Sequence, residues 1–313
     1  MIASMSFDSL TRKELILLRK VVIFFFITEC GLAIVEWILK INFFLYEGLS
    51  GVWFEFFRST SLMGHPLANA QIIAVFMTFI VVSDFKKKIV QILLFFLGYV
   101  SLFCFSTRGA ILVITVFTAP YFLWKINKTT PKNRKWIIKF GIFCMFCILI
   151  YLIIYTPLGG RLTGMELMDQ SGKSRLDVLY FYNYYDTTDQ ILWGHPGLYN
   201  YIMGRLGESG VENGIICLIL EYGIIFAIIM LLLLFRFQFH KLSVYSKFEK
   251  WLLLSVFYII GTMNPNLAQP VQWTMWIFAY YAFRPELLNV QNETINRQKP
   301  SIEKEVIHQV KKY

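Results

Sequence analysis

Arg108 is the only charged residue between Ile89 and Trp124, and uncharged apolar runs of this kind recur along the whole chain. A helix needs roughly 20 mostly apolar residues to cross the hydrocarbon core of a bilayer, and several blocks meet or approach that length. The apolar residues come in continuous runs rather than in amphipathic stripes, so an ordinary soluble fold is excluded. A hydrophobic content of 57% against 16% charged residues points the same way. The expected fold class is all-α: a polytopic helical membrane protein with about eight transmembrane helices and one large extracytoplasmic loop.

Crossings are expected near residues 20–39, 64–83, 89–105, 109–125, 136–155, 212–235, 251–263 and 269–283, the last two being short. Four connecting segments are rich in Lys and Arg: "TRKELILLRK" at the N-terminus, "DFKKK" at 84–88, "KINKTTPKNRK" at 125–135, and the stretch 236–250. Eight crossings put all four on one side, which the positive-inside rule assigns to the cytoplasm. The alternate connectors are 41–63, "FSTRG", 156–211 and "NPNLAQ" at 264–269. The chain thus divides into N-terminal helices (1–155), an extracytoplasmic loop (156–211), C-terminal helices (212–284) and a polar cytoplasmic tail (285–313). The basic start leads into a long apolar run without a small-residue cleavage site, which reads as a retained anchor rather than a signal peptide.

The net charge of +10 is spread over short connectors rather than pooled in one basic domain, so it orients the chain and does not call for nucleic acid. All five cysteines lie in apolar runs, and the C-x-x-C of Cys144 and Cys147 sits in "IFCMFCILI" with no second ligand pair. Small residues in a membrane helix are the expected reading, with no disulfide framework, no metal and no cofactor.

On the side opposite the lysine-rich connectors, the positive residues are Arg58, Arg108, Arg161, Lys173, Arg175 and Arg205, five of the six being arginine. Orientation does not need them. A planar guanidinium suits bidentate recognition of phosphate better than an ammonium does. An arginine at the mouth of a membrane helix is also costly when unpaired, so an anionic ligand on this face is expected. Acids in the apolar blocks are Glu29 and Glu36 in the first, and Glu221 in the sixth, which starts at "VENGII" with Glu212 and Asn213. Glu212 fits a helix start as well as a general base.

The loop 156–211 holds "SGKSRLDVLYFYNYYDTTDQILWGHPGLYNY", dense in tyrosine and containing Trp193. Its portion 174–189 is expected to form a helix capped by Ser171 or Ser174, with "WGHPG" breaking regular structure after it. Tyr182 and Trp193 suit carbohydrate contact and suit a membrane-interface belt equally. "DTTD" at 186–189 lacks D-x-D spacing and reads as a solvated helix face.

The order of Arg58 and "GHPLANAQ", "FSTRGA", "SGKSRLDVLY", "ILWGHPGLYN" and "VENGIICLILEYGI" resembles the O-antigen polymerase and O-antigen ligase superfamily, which includes capsule and exopolysaccharide polymerases. The likeness spans about Arg58 to Tyr281. Members usually have more helices before the Arg58 position, so the chain is expected to be short at its N-terminus. Ligases tend to carry His-Asn where this chain has Glu212 and Asn213, which tilts the likeness toward polymerases. The resemblance implies inverting, metal-independent glycosyl transfer at the extracytoplasmic face of a bacterial cytoplasmic membrane. It implies an undecaprenyl-pyrophosphate-linked glycan as donor, a glycan acceptor, and a flippase and chain-length regulator as partners. Arg58 and Arg108 would then hold the pyrophosphate, Arg175 and Arg205 would close over it, and Glu212 would take the acceptor proton. Arg161, Asn213, His65, Tyr182 and Trp193 would line the substrate. A ligase acting on another acceptor, or a transporter or flippase for a lipid-linked sugar, are the competing expectations.

Overall fold

A computed structural model of the chain describes residues 7–44, 57–85, 87–129, 187–198, 213–262 and 270–285, with isolated positions among 136–151, 180–185, 201 and 267. Every regular element among these residues is helical.

Helix α1 (Arg12–Leu39) starts with a capping box in which Thr11 and Glu14 satisfy each other's backbone N–H groups, and it stops at Lys40 in the left-handed conformation. Helix α2 (Pro66–Val82) is apolar on all sides, and every residue in it except Leu67 is buried. Such a helix belongs in the middle of a bundle. It packs against α1, α3 (Lys88–Cys104), α7 (Lys247–Thr262) and α8 (Pro270–Ala282). Helix α4 (Arg108–Lys128) contains a π-helical turn at Ile114–Thr118, where the Thr118 hydroxyl meets that of Thr78 on α2 at 3.2 Å. A short helix α5 (Thr188–Trp193) precedes α6 (Gly214–Lys241).

Only α1, α4 and α6, among the described residues, are long and apolar enough to cross a membrane by themselves, while α2 and α3 are shorter apolar helices. Exposed Phe226, Ile228, Ile229, Leu232 and Leu233 on α6 give it a face suited to lipid. The expected crossing at 136–155 and the loop 156–211 fall largely outside the described residues, as does the tail from 286. Cys147 is exposed, whereas Cys30, Cys104 and Cys217 are buried.

The described basic connectors gather at one end of the bundle. Arg19 donates to the Asp84 carbonyl at 3.1 Å, and Lys125 donates to the carbonyls of Val82 and Ser83 while pairing with Asp84 at 3.4 Å. Lys241 pairs with Asp8, and the Tyr245 hydroxyl donates to the Phe283 carbonyl at 3.0 Å. Described parts of the Lys- and Arg-rich connectors thus meet at this Lys125 end.

The helix expected over about 64–83 is present as Pro66–Val82, and the chain before it, residues 57–65, runs inside the bundle in non-helical form. Ser59 Oγ donates to the Ala33 carbonyl at 2.6 Å, and Ser61 Oγ to the Glu29 carbonyl at 3.0 Å. Two side chains of α1 complete the contact. Glu36 Oε2 accepts from the N–H of Thr60 and of Ser61, and Glu29 Oε2 accepts from the N–H of Leu62. The partners step back along α1 from Glu36 to Glu29, about two turns, as the segment advances. Non-helical backbone in such a position is tolerated only when protein satisfies its polar groups, and these two glutamates do so.

Candidate functional site

At the end opposite Lys125, the descending segment meets the turn between α3 and α4. Ser59 N–H donates to the Cys104 carbonyl at 3.0 Å, and Arg58 Nε donates to the Phe105 carbonyl at 3.2 Å. The Phe105 carbonyl also accepts from the Thr107 hydroxyl at 3.3 Å. Arg108 follows at once as the first residue of α4, where Thr107 provides no side-chain cap. A cation at a helix N-terminus opposes the helix dipole, and an uncapped first turn presents N–H groups to an anion. Arg58 is buried at 8% exposure and Arg108 is partly buried. The pairing of Arg58 with "FSTRGA" therefore exists in space across nearly fifty residues of sequence.

Two residues in this region hold left-handed backbone without being glycine: Ser61, with φ of 42°, and Ser106, with φ of 52°. Strain of this kind persists only where surroundings impose it, and it concentrates at functional sites. His65 caps α2: its Nδ1 accepts from the Leu67 N–H at 3.2 Å, which places the ring proton on Nε2, and Arg58 is within electrostatic reach of it. His65 is thus first a structural cap, with one donor nitrogen left over.

Glu29 and Glu36, raised in the sequence as intramembrane acids, are anchors for the descending segment. Glu36 is the better satisfied, because its Oε1 accepts from the Phe43 N–H at 2.8 Å in addition to the two bonds at Oε2. No sequence pattern announces this role, since the N–H donors lie more than twenty residues away from the carboxylate in two of the three bonds.

A second assembly joins the loop to α6. Gly223 has φ of 79° and ψ of 162°, which kinks α6, and Gly194 has φ of 84° and ψ of 170° at the end of α5. The two glycines face each other backbone to backbone: a Cβ on Gly223 would stand 2.4 Å from Gly194 N, and one on Gly194 would stand 2.5 Å from Gly223 N. Around them the His195 N–H donates to the Leu220 carbonyl at 3.4 Å, and the Gly197 N–H to Glu221 Oε1 at 3.2 Å. The Tyr185 hydroxyl donates to the Ile219 carbonyl at 2.8 Å, and burial pushes that phenol up to about 12. "WGHPG" is therefore not merely a break; it docks against "EYG" of α6. The expected helix over 174–189 lies largely outside the described residues; at its end Thr187 caps α5, so "DTTD" runs into a helix start.

Of the residues expected to form the site, Arg58 and His65 lie within electrostatic reach of each other, and Arg58 bonds the turn after which Arg108 opens α4. Asn213 is the N-cap of α6, its Oδ1 accepting from the N–H of Ile215 at 3.0 Å and of Ile216 at 3.2 Å. Tyr182 is exposed and Trp193 is 68% exposed. Glu212, Arg161, Arg175 and Arg205 lie outside the described residues. A cavity of about 830 Å³ opens at the Lys125 end instead, among Trp124, Lys125, Asp84 and Glu249. Among the described residues no group of three or more His, Cys, Asp or Glu side chains is placed to hold a metal ion. Comparison with known protein families, with curated proteins and with solved structures gives no match for this chain.

Proposed function

We propose that the chain is a membrane glycosyltransferase that extends or transfers a glycan carried on a lipid pyrophosphate, with the Arg58–Arg108 end as its anion site. One observation carries the reading: Arg58 is delivered by a non-helical segment to the turn that starts α4, whose first residue is Arg108. Two guanidiniums beside a helix N-terminus form an environment for a doubly charged leaving group rather than for a neutral sugar. As an acceptor hydroxyl attacks the anomeric carbon, the bond to pyrophosphate breaks and negative charge grows on the departing oxygen. Cations fixed at that point stabilise the transition state more than the ground state. The undecaprenyl carrier, the acceptor glycan and a role for Glu212 as base come from the motif resemblance and belong to the same proposal.

The test is chain extension measured by polymer length, in cells lacking the endogenous polymerase and in membranes supplied with lipid-linked oligosaccharide. Arg58→Lys and Arg108→Lys keep the charge but lose the planar fork. A charge-assisted hydrogen bond is worth about 1.5–3 kcal/mol, so each variant should lose on the order of 10- to 100-fold in rate at unchanged membrane abundance. Full-length polymer at normal yield in both variants would overturn the anion site.

Transport of a lipid-linked sugar is the second reading, and the non-helical segment 57–65 together with the kink at Gly223 favours it, because transporters build sites from interrupted helices. Movement of a labelled lipid-linked sugar across a vesicle without any change in its glycan length would select transport.

A further inference from the structure

Three buried oxygens near residues 60–62 have no hydrogen-bond partner among the described residues: Glu29 Oε1, Thr60 Oγ1 and Asn69 Oδ1. All three side chains are at 0% exposure. Each is tied to the same short stretch, and the Ser61 hydroxyl of that stretch also reaches the Glu29 carboxyl. Glu29 accepts from the Leu62 N–H with its other oxygen, Asn69 donates through Nδ2 to the Thr60 carbonyl, and Thr60 is itself part of the stretch. Glu36 is the contrast: it lies two turns along α1, and both of its oxygens are occupied by backbone donors.

A buried acceptor without a donor costs roughly 1–3 kcal/mol, and more when it is charged. A single cation would answer a carboxylate oxygen, an amide oxygen and a hydroxyl oxygen together. We propose that this cluster binds a monovalent hard cation, Na⁺ or K⁺, between α1, the descending segment and the first turns of α2. The donors are all oxygen, which excludes soft metals. One carboxylate balances one positive charge, whereas Ca²⁺ sites collect several carboxylates and Mg²⁺ keeps most of its waters. The ion would clamp the segment that carries Arg58 and His65, so cation binding and the arrangement of the arginine end would be linked. The inference does not rest on glycosyl transfer, and it holds equally for a transporter.

Thermal unfolding of the purified full chain in detergent, at fixed pH and ionic strength, tests it by replacing choline chloride with NaCl or KCl. A ligand bound to the folded state alone stabilises it in proportion to the logarithm of its concentration above Kd. The expected result is a rise of several degrees in Tm that sets in over a defined concentration range, follows cation identity, and is absent in Thr60→Val and Glu29→Gln. Equal Tm in choline and in both alkali salts overturns the proposal. So does a cation response that survives both substitutions, and so does a Tm that rises on acidification while ignoring the cation, which would assign a proton to Glu29. If neither variant folds, retention of radioactive ²²Na⁺ by the wild-type protein decides, and its displacement by choline as readily as by unlabelled Na⁺ also overturns the proposal.

Discussion

Replacing Gly223 by alanine should detach the α5 segment from α6. Gly223 occupies φ of 79° and ψ of 162°, a region essentially closed to other residues, at a cost of about 1–3 kcal/mol. The added Cβ would stand 2.3 Å from the Leu192 carbonyl oxygen, 2.4 Å from Gly194 N and 2.5 Å from the Trp193 carbonyl carbon. All three atoms are backbone, so no rotamer change relieves the overlap and the two segments must part. Parting gives up the bonds from Gly197 to Glu221, from His195 to Leu220 and from Tyr185 to Ile219, each worth about 1 kcal/mol net. A local loss of at least about 3 kcal/mol follows, or on the order of 100-fold in amide protection. Hydrogen–deuterium exchange of peptides covering 187–198, in detergent, reads this directly, with α2 peptides as the unchanged control. Gly194→Ala should behave alike, and the double variant should be no worse than either single one, because the same contact is lost. Protection within threefold of wild type in Gly223→Ala, or a higher Tm, would show that α6 runs straight and that the docking is wrong.

Glu36→Gln should lower stability by about 3 kcal/mol in thermal unfolding, because the amide replaces one of two acceptor oxygens that serve the N–H groups of Phe43, Thr60 and Ser61; an unchanged Tm would remove Glu36 as the anchor. Asp8 has its carboxyl held below the usual range by hydrogen bonds from Lys241 and Tyr281, which outweigh its partial burial. A depressed carboxylate contributes stability above its unfolded value near 3.8 and loses it as pH falls through the folded value. The Tm gap between wild type and Asp8→Asn should therefore be open at neutral pH and close on acidification below about pH 4, and a gap constant with pH would refute the pairing.

The helical class was legible because it rests on local composition: long apolar runs declare themselves within a few residues. Composition places helix α2 to within two residues at its start, but it does not say what the chain before it does: "RSTSLMGH" is polar enough to need partners, and α1 supplies them. Those partners are two glutamates that look anomalous in an apolar helix until the segment they hold is placed. Likewise "WGHPG" reads locally as a break and "EYG" as part of a helix, and only their contact explains why both need glycine in one conformation.

The arginine end was half legible for a related physical reason. A lone arginine in "FSTRGA" stands out in an apolar run, so Arg108 could be singled out, and Arg58 could be matched to it by side of the membrane. What ties Arg58 to that turn is a main-chain carbonyl, that of Phe105, and no sequence pattern marks which carbonyl a distant arginine will choose. The same turn carries Ser106 in left-handed backbone, and the segment bearing Arg58 carries Ser61 likewise. Glycine would adopt both conformations at no steric cost. That serine stands at each position instead means its hydroxyl is wanted there: Ser61 Oγ bonds the Glu29 carbonyl and Ser106 Oγ bonds that of Phe103. The strain thus falls on the two pieces of backbone that carry the arginines, and each is held in place by a hydroxyl bond that glycine would forfeit.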